Sequence, residues 1–121
     1  MCFLVKEVED LRMYGVIVPG SEAGDVVEVR RIVEKPREPP SRLAVMPVYI
    51  FDSIILKALK VVEPGPRGEI ELTDAIQKII EWGFSVKAVK MRDDEVRIDV
   101  GTPETYWEAL KISYERASGT G

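Results

Sequence analysis

Four short segments of this 121-residue chain hold the side chains best suited to chemistry. Glu34-Lys35-Pro36 closes an alternating run at the point where proline turns the chain away from a sheet. A carboxylate there can accept two sugar hydroxyls, and the adjacent ammonium can meet a phosphate as a point charge. On residue types alone a plainer reading is preferred, because neighbouring Glu and Lys on a strand face opposite ways and simply sit in water. Gly15 follows Tyr14 inside a β-rich run. A missing side chain at such a place marks either a bulge or the close approach of a ligand to the backbone. Asp99 ends another run, and Gly101 allows a tight turn into a helix whose free N–H groups can meet an anion. The stretch Gly68-Glu69-Ile70-Glu71-Leu72-Thr73-Asp74-Ala75-Ile76 gathers acids around a helix start, which the positive end of a helix dipole explains without any ligand.

Other chemistries are excluded. The chain has no His and one Cys, Cys2, so neither an intramolecular disulfide nor a Cys/His metal site can form. It has no Gly-rich phosphate loop and no nucleophile paired with a base in a known motif. A net charge of −4 argues against nucleic acid, and Arg30, Arg31, Lys35 and Arg37 read as a charged strand face for the most part. The apolar Met1–Val5 run meets Lys6, Glu7, Glu9 and Asp10 at once, too soon for a signal or membrane segment. A cytoplasmic protein with no membrane partner is expected. The absence of Asn, a single Gln (Gln77) and 31% charged residues hint at a thermophilic source.

These residues need a scaffold. Phe3–Val8 alternates at period two and predicts a strand; Tyr14–Val18 and Val26–Glu34 predict a hairpin around Pro19-Gly20 and Gly24-Asp25. Lys35–Pro40 holds three prolines and is irregular. Ala44–Phe51 is nearly all apolar and predicts a central strand buried on both faces. Asp52 or Ser53 can cap a helix presenting Ile54, Ile55, Ala58, Leu59 and Val62. Thr73 predicts the cap of a second helix, with Ile76, Ile79 and Ile80 inward and Gly83 at its C′ position. Phe84–Met91 and Glu95–Asp99 predict two strands. Thr102 as N-cap and Pro103 at the first helical position predict a last helix through Ala117, facing inward with Tyr106, Leu110, Tyr114 and Ala117. The expectation is one domain over 1–121, an α/β fold with a mixed sheet and about three helices.

In their order and spacing, Tyr14-Gly15-Val16, Glu34-Lys35-Pro36, Gly68–Ile76 and Asp99-Val100-Gly101-Thr102-Pro103 resemble the C-terminal half of the sugar-1-phosphate nucleotidyltransferases, the UDP-glucose and dTDP-glucose pyrophosphorylase type. The resemblance runs from about Val5 to Leu110. It implies half of a Rossmann-like nucleotidyltransferase fold, the half that binds the sugar phosphate, with the N-terminal NTP-binding half absent. It implies substrate-binding roles for Gly15, Glu34, Lys35 and Glu69. It makes Asp99 one of two carboxylates on a Mg²⁺ that would be held only in a completed active site. Two departures stand out: Pro47 lies where the family usually has glycine, and Arg97 where the dTDP-sugar branch often has Trp, which leans toward the UDP-glucose branch.

The implied reaction is NTP plus sugar 1-phosphate giving NDP-sugar and pyrophosphate, with no activity expected from this chain by itself. Its implied partners are a sugar 1-phosphate and a separate N-terminal nucleotide-binding half. The rival readings are a non-catalytic sugar-phosphate-binding or regulatory module, and a folded remnant. Losing half of a sheet is expected to leave Ala44–Phe51 as an exposed apolar edge, and hence a homo-oligomer.

Overall fold

The alternating run at the N-terminus becomes β1 (Cys2–Glu7), and the predicted hairpin becomes β2 (Gly15–Ala23) and β3 (Val26–Glu34). In this computed structural model, which describes residues 1–119, there follow β4 (Leu43–Ile50), α1 (Ile54–Val61), α2 (Leu72–Glu81), β5 (Lys87–Lys90) and α3 (Pro103–Gly119). The strands pair in the order β1-β4-β2-β3-β5, and β5 returns to β1, closing the sheet into a ring. Only β1 and β5 run parallel; the other pairs are antiparallel. The fold is therefore α/β, with a mixed sheet and three helices, as expected.

Successive strand residues face opposite ways, and two apolar clusters result. Phe3, Val5, Ile17 and Val45 join Ile55 and Ala58 of α1 and Ile76 and Ile79 of α2 in the main core. Val16, Ala44 and Met46 pack with Leu11 in a smaller one on the other face. In β3 the inward residues are Val27 and Val29 but then Ile32, a change of parity. The register explains it: Val29 pairs with Pro19 and Arg31 with Val18, so Arg30 is an extra residue in a bulge.

A second irregularity corrects the reading of Ala44–Phe51. The β1–β4 register jumps from Leu4↔Met46 to Phe3↔Tyr49, leaving Pro47 and Val48 out of the ladder. Proline has no N–H to give it. Ala44, Val45 and Met46 are buried on alternate faces as predicted, whereas Pro47, Val48 and Ile50 are exposed. Nor is β4 a wholly open edge, since it lies between β1 and β2.

Closure of the ring also corrects Glu95–Asp99, which is not a strand. The ring closes among β1 to β5 alone, and none of its pairings includes this segment. The segment instead starts from a turn in which Glu95 Oε2 accepts the Arg92 N–H at 2.8 Å. Phe84–Met91 shortens to β5 because its first residues finish α2. There Gly83, at φ 89°, donates to Ile80 O and Phe84 donates to Ile79 O, the paired bonds of a Schellman ending.

One helix cap changes. Helix α2 begins at Leu72 with Glu71 at the N-cap position, so Thr73 is not its cap. In α1, Ser53 holds the cap position, but Asp52 Oδ1 accepts the Ile54 N–H at 3.1 Å. At α3 the expected cap forms: the Thr105 N–H donates to Thr102 Oγ1 at 3.1 Å. The predicted inward face of α3 does not exist, however, as none of its residues is buried. Its far end is tethered by Arg116 Nη2 donating to Asp94 O at 3.1 Å. Among the described residues no helix is long and apolar enough to cross a membrane.

Candidate functional site

The last residue of β3 is Glu34, and the next, Lys35, has φ 43°. This left-handed conformation is uncommon for a residue with a side chain. It interrupts the strand's alternation immediately after Glu34, while the Lys35 N–H stays anchored on Tyr14 O at 3.0 Å. The Glu34 carboxylate turns over the start of β2. There Thr73, only 6% exposed, donates its hydroxyl to Glu34 Oε2 at 2.8 Å. Gly15 is the floor beneath this pair. A Cβ on it would lie 3.0 Å from Thr73 Cγ2 and 3.3 Å from Glu34 Oε2. The glycine is thus explained by lack of room under the Thr73–Glu34 contact.

Around this contact lies a pocket of about 290 Å³, walled by Tyr14, Gly15, Glu34, Thr73, Tyr49, Arg97 and Asp99, with Met13, Val45 and Pro47 completing the wall. The Pro47–Val48 bulge of β4 restores Tyr49 to the ladder opposite Phe3, and its ring stacks on Phe51 at 5.0 Å and tilts against Phe3 at 5.9 Å. Burial, and secondarily the Glu34 charge, push the Tyr49 phenol up from its ordinary 10.0. The hydroxyl therefore keeps its proton at neutral pH, ready to donate or accept.

Arg97 and Asp99 stand two residues apart on the extended segment that follows β5. The Arg97 guanidinium sits over the Tyr14 ring, 5.8 Å from its centre. Its Nη2 is 3.7 Å from Asp99 Oδ2, and the two side chains are 28% and 74% exposed. Such a long, wet ion pair holds Asp99 only loosely.

Gly15, Glu34 and Asp99, three of the residues singled out from sequence, thus share one pocket. Lys35 flanks it without forming its wall. Glu69 is exposed on the loop before α2, where its carbonyl accepts the Gly65 N–H at 2.8 Å, and it is also outside the wall. Sequence reasoning missed Thr73 and Tyr49. Thr73 reads as a cap from its neighbours, and its partner Glu34 is 39 residues away, so no local signal exists. Arg97 drew notice only as a departure from a pattern.

Among the described residues no group of three or more His, Cys, Asp or Glu could hold a metal by itself. Magnesium, however, commonly takes one or two carboxylates and completes its shell with phosphate oxygens and water. The exposed Asp99 suits that limited role. A groove of about 350 Å³ between α1 and α2 carries Glu63, Asp74, Gln77, Lys78 and Glu81. Three of these already engage one another, Lys78 with Glu81 at 3.6 Å and Gln77 with Glu81 at 3.4 Å.

A family model described as "Nucleotidyl transferase" matches residues 1–115. A UTP–glucose-1-phosphate uridylyltransferase of Haloferax volcanii is 38% identical over 109 residues, which are 88% of this chain and 42% of the relative. One of Pseudomonas aeruginosa is 38% identical over 115 residues, 93% of this chain and 40% of the relative. The crystal structure of a UDP-glucose pyrophosphorylase complexed with UDP-glucose superimposes with a TM-score of 0.84 at 31% identity, covering 95% of this chain and 44% of that one. The chain therefore spans less than half the length of these relatives.

Proposed function

Because this chain belongs to the nucleotidyl transferase family, we propose that it is the sugar-phosphate-binding part of a sugar-1-phosphate nucleotidyltransferase, which converts an NTP and a sugar 1-phosphate into an NDP-sugar and pyrophosphate. The observation that carries the reading is the Thr73–Glu34 hydrogen bond over Gly15, within one pocket with Asp99. Thr73 occupies one lone pair of Oε2 and aims the carboxylate, leaving acceptor capacity for sugar hydroxyls. Tyr49 adds a protonated hydroxyl nearby. Gly15 exposes backbone, and Lys35, next to Glu34 in the chain, and Glu69, on the loop before α2, are assigned as further contacts to the ligand. Asp99 would hold Mg²⁺ together with phosphate oxygens, and that ion would supply neutralisation of phosphate charge.

The triphosphate belongs to another part of the enzyme, whether carried by the same polypeptide or a separate one. The exposed apolar surface of α3 supports this, as Tyr106, Trp107, Leu110 and Tyr114 are each more than half exposed. Solvent-exposed apolar area of this kind marks an interface. The relatives named as uridylyltransferases favour UTP as the nucleotide and glucose 1-phosphate as the sugar. Nucleoside triphosphates are cytoplasmic metabolites, and we assign the protein there.

Transfer of a nucleotidyl group depends on placing the triphosphate and neutralising its charge, and this sequence has no Gly-rich loop to do so. The 121 residues alone should therefore release no pyrophosphate from any of the four NTPs with glucose 1-phosphate. Turnover that Asp99→Ala abolishes would overturn that expectation. Binding is the positive test: glucose 1-phosphate should bind in the millimolar range, about −4 kcal/mol, as suits a half-open, wet site. Chemical shifts that move at Gly15, Glu34 and Thr73, and cease to move in Glu34→Ala, would establish the site. Undiminished binding in that variant would put it elsewhere.

A further inference from the structure

Strands β2 and β4 are neighbours in the ring, yet they pair at one point only, Val16 with Ala44. Extending that antiparallel register by one residue sets Ile17 opposite Leu43, where a direct rung would carry the Leu43 N–H to the Ile17 carbonyl. That rung is interrupted. The Leu43 N–H donates to Ser41 Oγ at 3.1 Å, and the Ser41 hydroxyl donates to Ile17 O at 2.6 Å. One part-buried hydroxyl thus stands where a direct bond would span about 2.9 Å. Extending the register the other way sets Gly15 opposite Val45. The pocket opens on this side, with Tyr14 and Gly15 on one bank and Val45, Pro47 and Tyr49 on the other. Clearance between the banks is small, since a Cβ on Gly15 would lie 3.5 Å from Val45 Cγ2. The segment that carries Ser41 is itself restrained. Because β2 lies between β3 and β4, residues 35–42 must pass from one side of β2 to the other, and Pro36, Pro39 and Pro40 stiffen that path. At its end Arg42 O accepts the Val8 N–H at 3.1 Å, so consecutive residues fix the entry to β4 against β2 and against the chain beyond β1.

We propose that Ser41, which is not in the pocket wall, is a positioning residue of the site: its hydroxyl sets the spacing of β2 and β4 and, through it, the affinity for the sugar phosphate. The proposal rests on the sugar-phosphate reading of the pocket. Without the hydroxyl, the Leu43 N–H and the Ile17 carbonyl either close on one another and draw the strands together, or stay unpaired and loosen the junction. In both cases Val45 and Tyr49 leave the positions they hold opposite Gly15.

The test takes two readings by NMR on the folded full chain, well below its melting temperature. One is the set of backbone chemical shifts of Gly15, Val45 and Tyr49 without ligand; the other is the dissociation constant for glucose 1-phosphate. A hydroxyl that only stabilised the fold would change the melting temperature and neither of these. Ser41→Ala should shift all three resonances and weaken binding about fivefold or more, the scale of one lost hydrogen bond. Ser41→Thr keeps the hydroxyl and should retain most of the affinity. Should Ser41→Ala fail to fold, Ser41→Cys, whose thiol is a weaker donor, takes its place with the same expectations. Unchanged affinity in the folded Ala or Cys variant overturns the proposal, as does a Ser41→Thr chain that binds no better than Ser41→Ala. If glucose 1-phosphate does not bind the unaltered chain, the sugar-phosphate reading falls by itself and the ligand-free shifts decide the spacing. Movement at Val45 and Tyr49 in Ser41→Ala then upholds Ser41 as the spacer of the two strands, and unmoved resonances overturn it.

Discussion

Glu34 owes its position to two residues that do no chemistry themselves. Thr73 holds its carboxylate, and Gly15 leaves room for both. Adding one methyl group at Gly15 presses on Thr73 Cγ2 at 3.0 Å and on Val45 Cγ2 at 3.5 Å as well as on the carboxylate. Gly15→Ala should therefore cost about 1–3 kcal/mol by overpacking. Thr73→Val keeps the shape but removes the donor, leaving a part-buried carboxylate oxygen unsatisfied, at about 1–3 kcal/mol. Urea denaturation measures both, and each variant should also weaken glucose 1-phosphate binding. An unchanged midpoint in Gly15→Ala would mean that the cluster yields freely. Tyr49 gives a pH signature. Its folded-state pKa is raised, by burial first and the Glu34 charge second, so the folded state holds the phenolic proton more tightly than the unfolded chain does. The associated stability is fully present below the ordinary value of 10.0 and is lost as pH rises through the folded value. Between pH 9 and 11, Tyr49→Phe should lose less stability than the parent chain. Parallel losses would contradict the assigned shift.

At the scale of elements, the site depends on how α2 seats against β3, since Thr73 belongs to one and Glu34 to the other. The seat is polar as well as apolar. Gln77 Oε1 accepts the Ile32 N–H at 2.9 Å, one helical turn beyond Thr73, and Ile76 and Ile79 fill the main core from the same helix. Gln77→Leu would leave the N–H of a buried residue without its partner, at about 1–3 kcal/mol. Hydrogen exchange at Ile32 should accelerate beyond the change in global stability, because the amide loses its acceptor directly. Equal protection in both proteins would show that another group takes over. The single Gln of the chain reads from sequence only as a compositional curiosity. Its structural role needs two elements in contact across 45 residues.

For the whole molecule, the open question is the surface of α3. Within the ring β4 pairs with β1 along most of its length and with β2 at Val16↔Ala44, so the expected route to self-association, Ala44–Phe51 as a wholly open edge, is weakened. Helix α3 provides another route: Trp107 is 62% exposed and Leu110 and Tyr114 are exposed beside it. Without a nucleotide-binding part to cover this face, the chain should pair with itself, giving about twice its 13.6 kDa in light scattering at micromolar concentration. Trp107→Glu together with Leu110→Glu should return the mass to that of one chain with the fold intact. A monomeric mass for the unaltered chain would mean that water covers this face without penalty.

The elements themselves were legible locally. Period-two runs marked β1 and β3, a β-rich run ended by Pro19-Gly20 marked β2, Gly83 marked the end of α2 and Thr102 the start of α3, because alternation, β propensity, left-handed turns and caps are written in neighbouring residues. The order of Gly15, Glu34 and Asp99 along the chain likewise pointed to one site. What each side chain meets was decided only in three dimensions. Pro47 broke the strand ladder and exposed half of β4; the ring closed without Glu95–Asp99; α3 found no surface within the chain for its apolar residues. Thr73 passed from cap to carboxylate ligand, and Arg97 became the cation of the pocket wall, through contacts between residues far apart in sequence. Local patterns encode the backbone's short-range choices, whereas a site of this kind is made of distances between elements, which only the packed sheet and helices set.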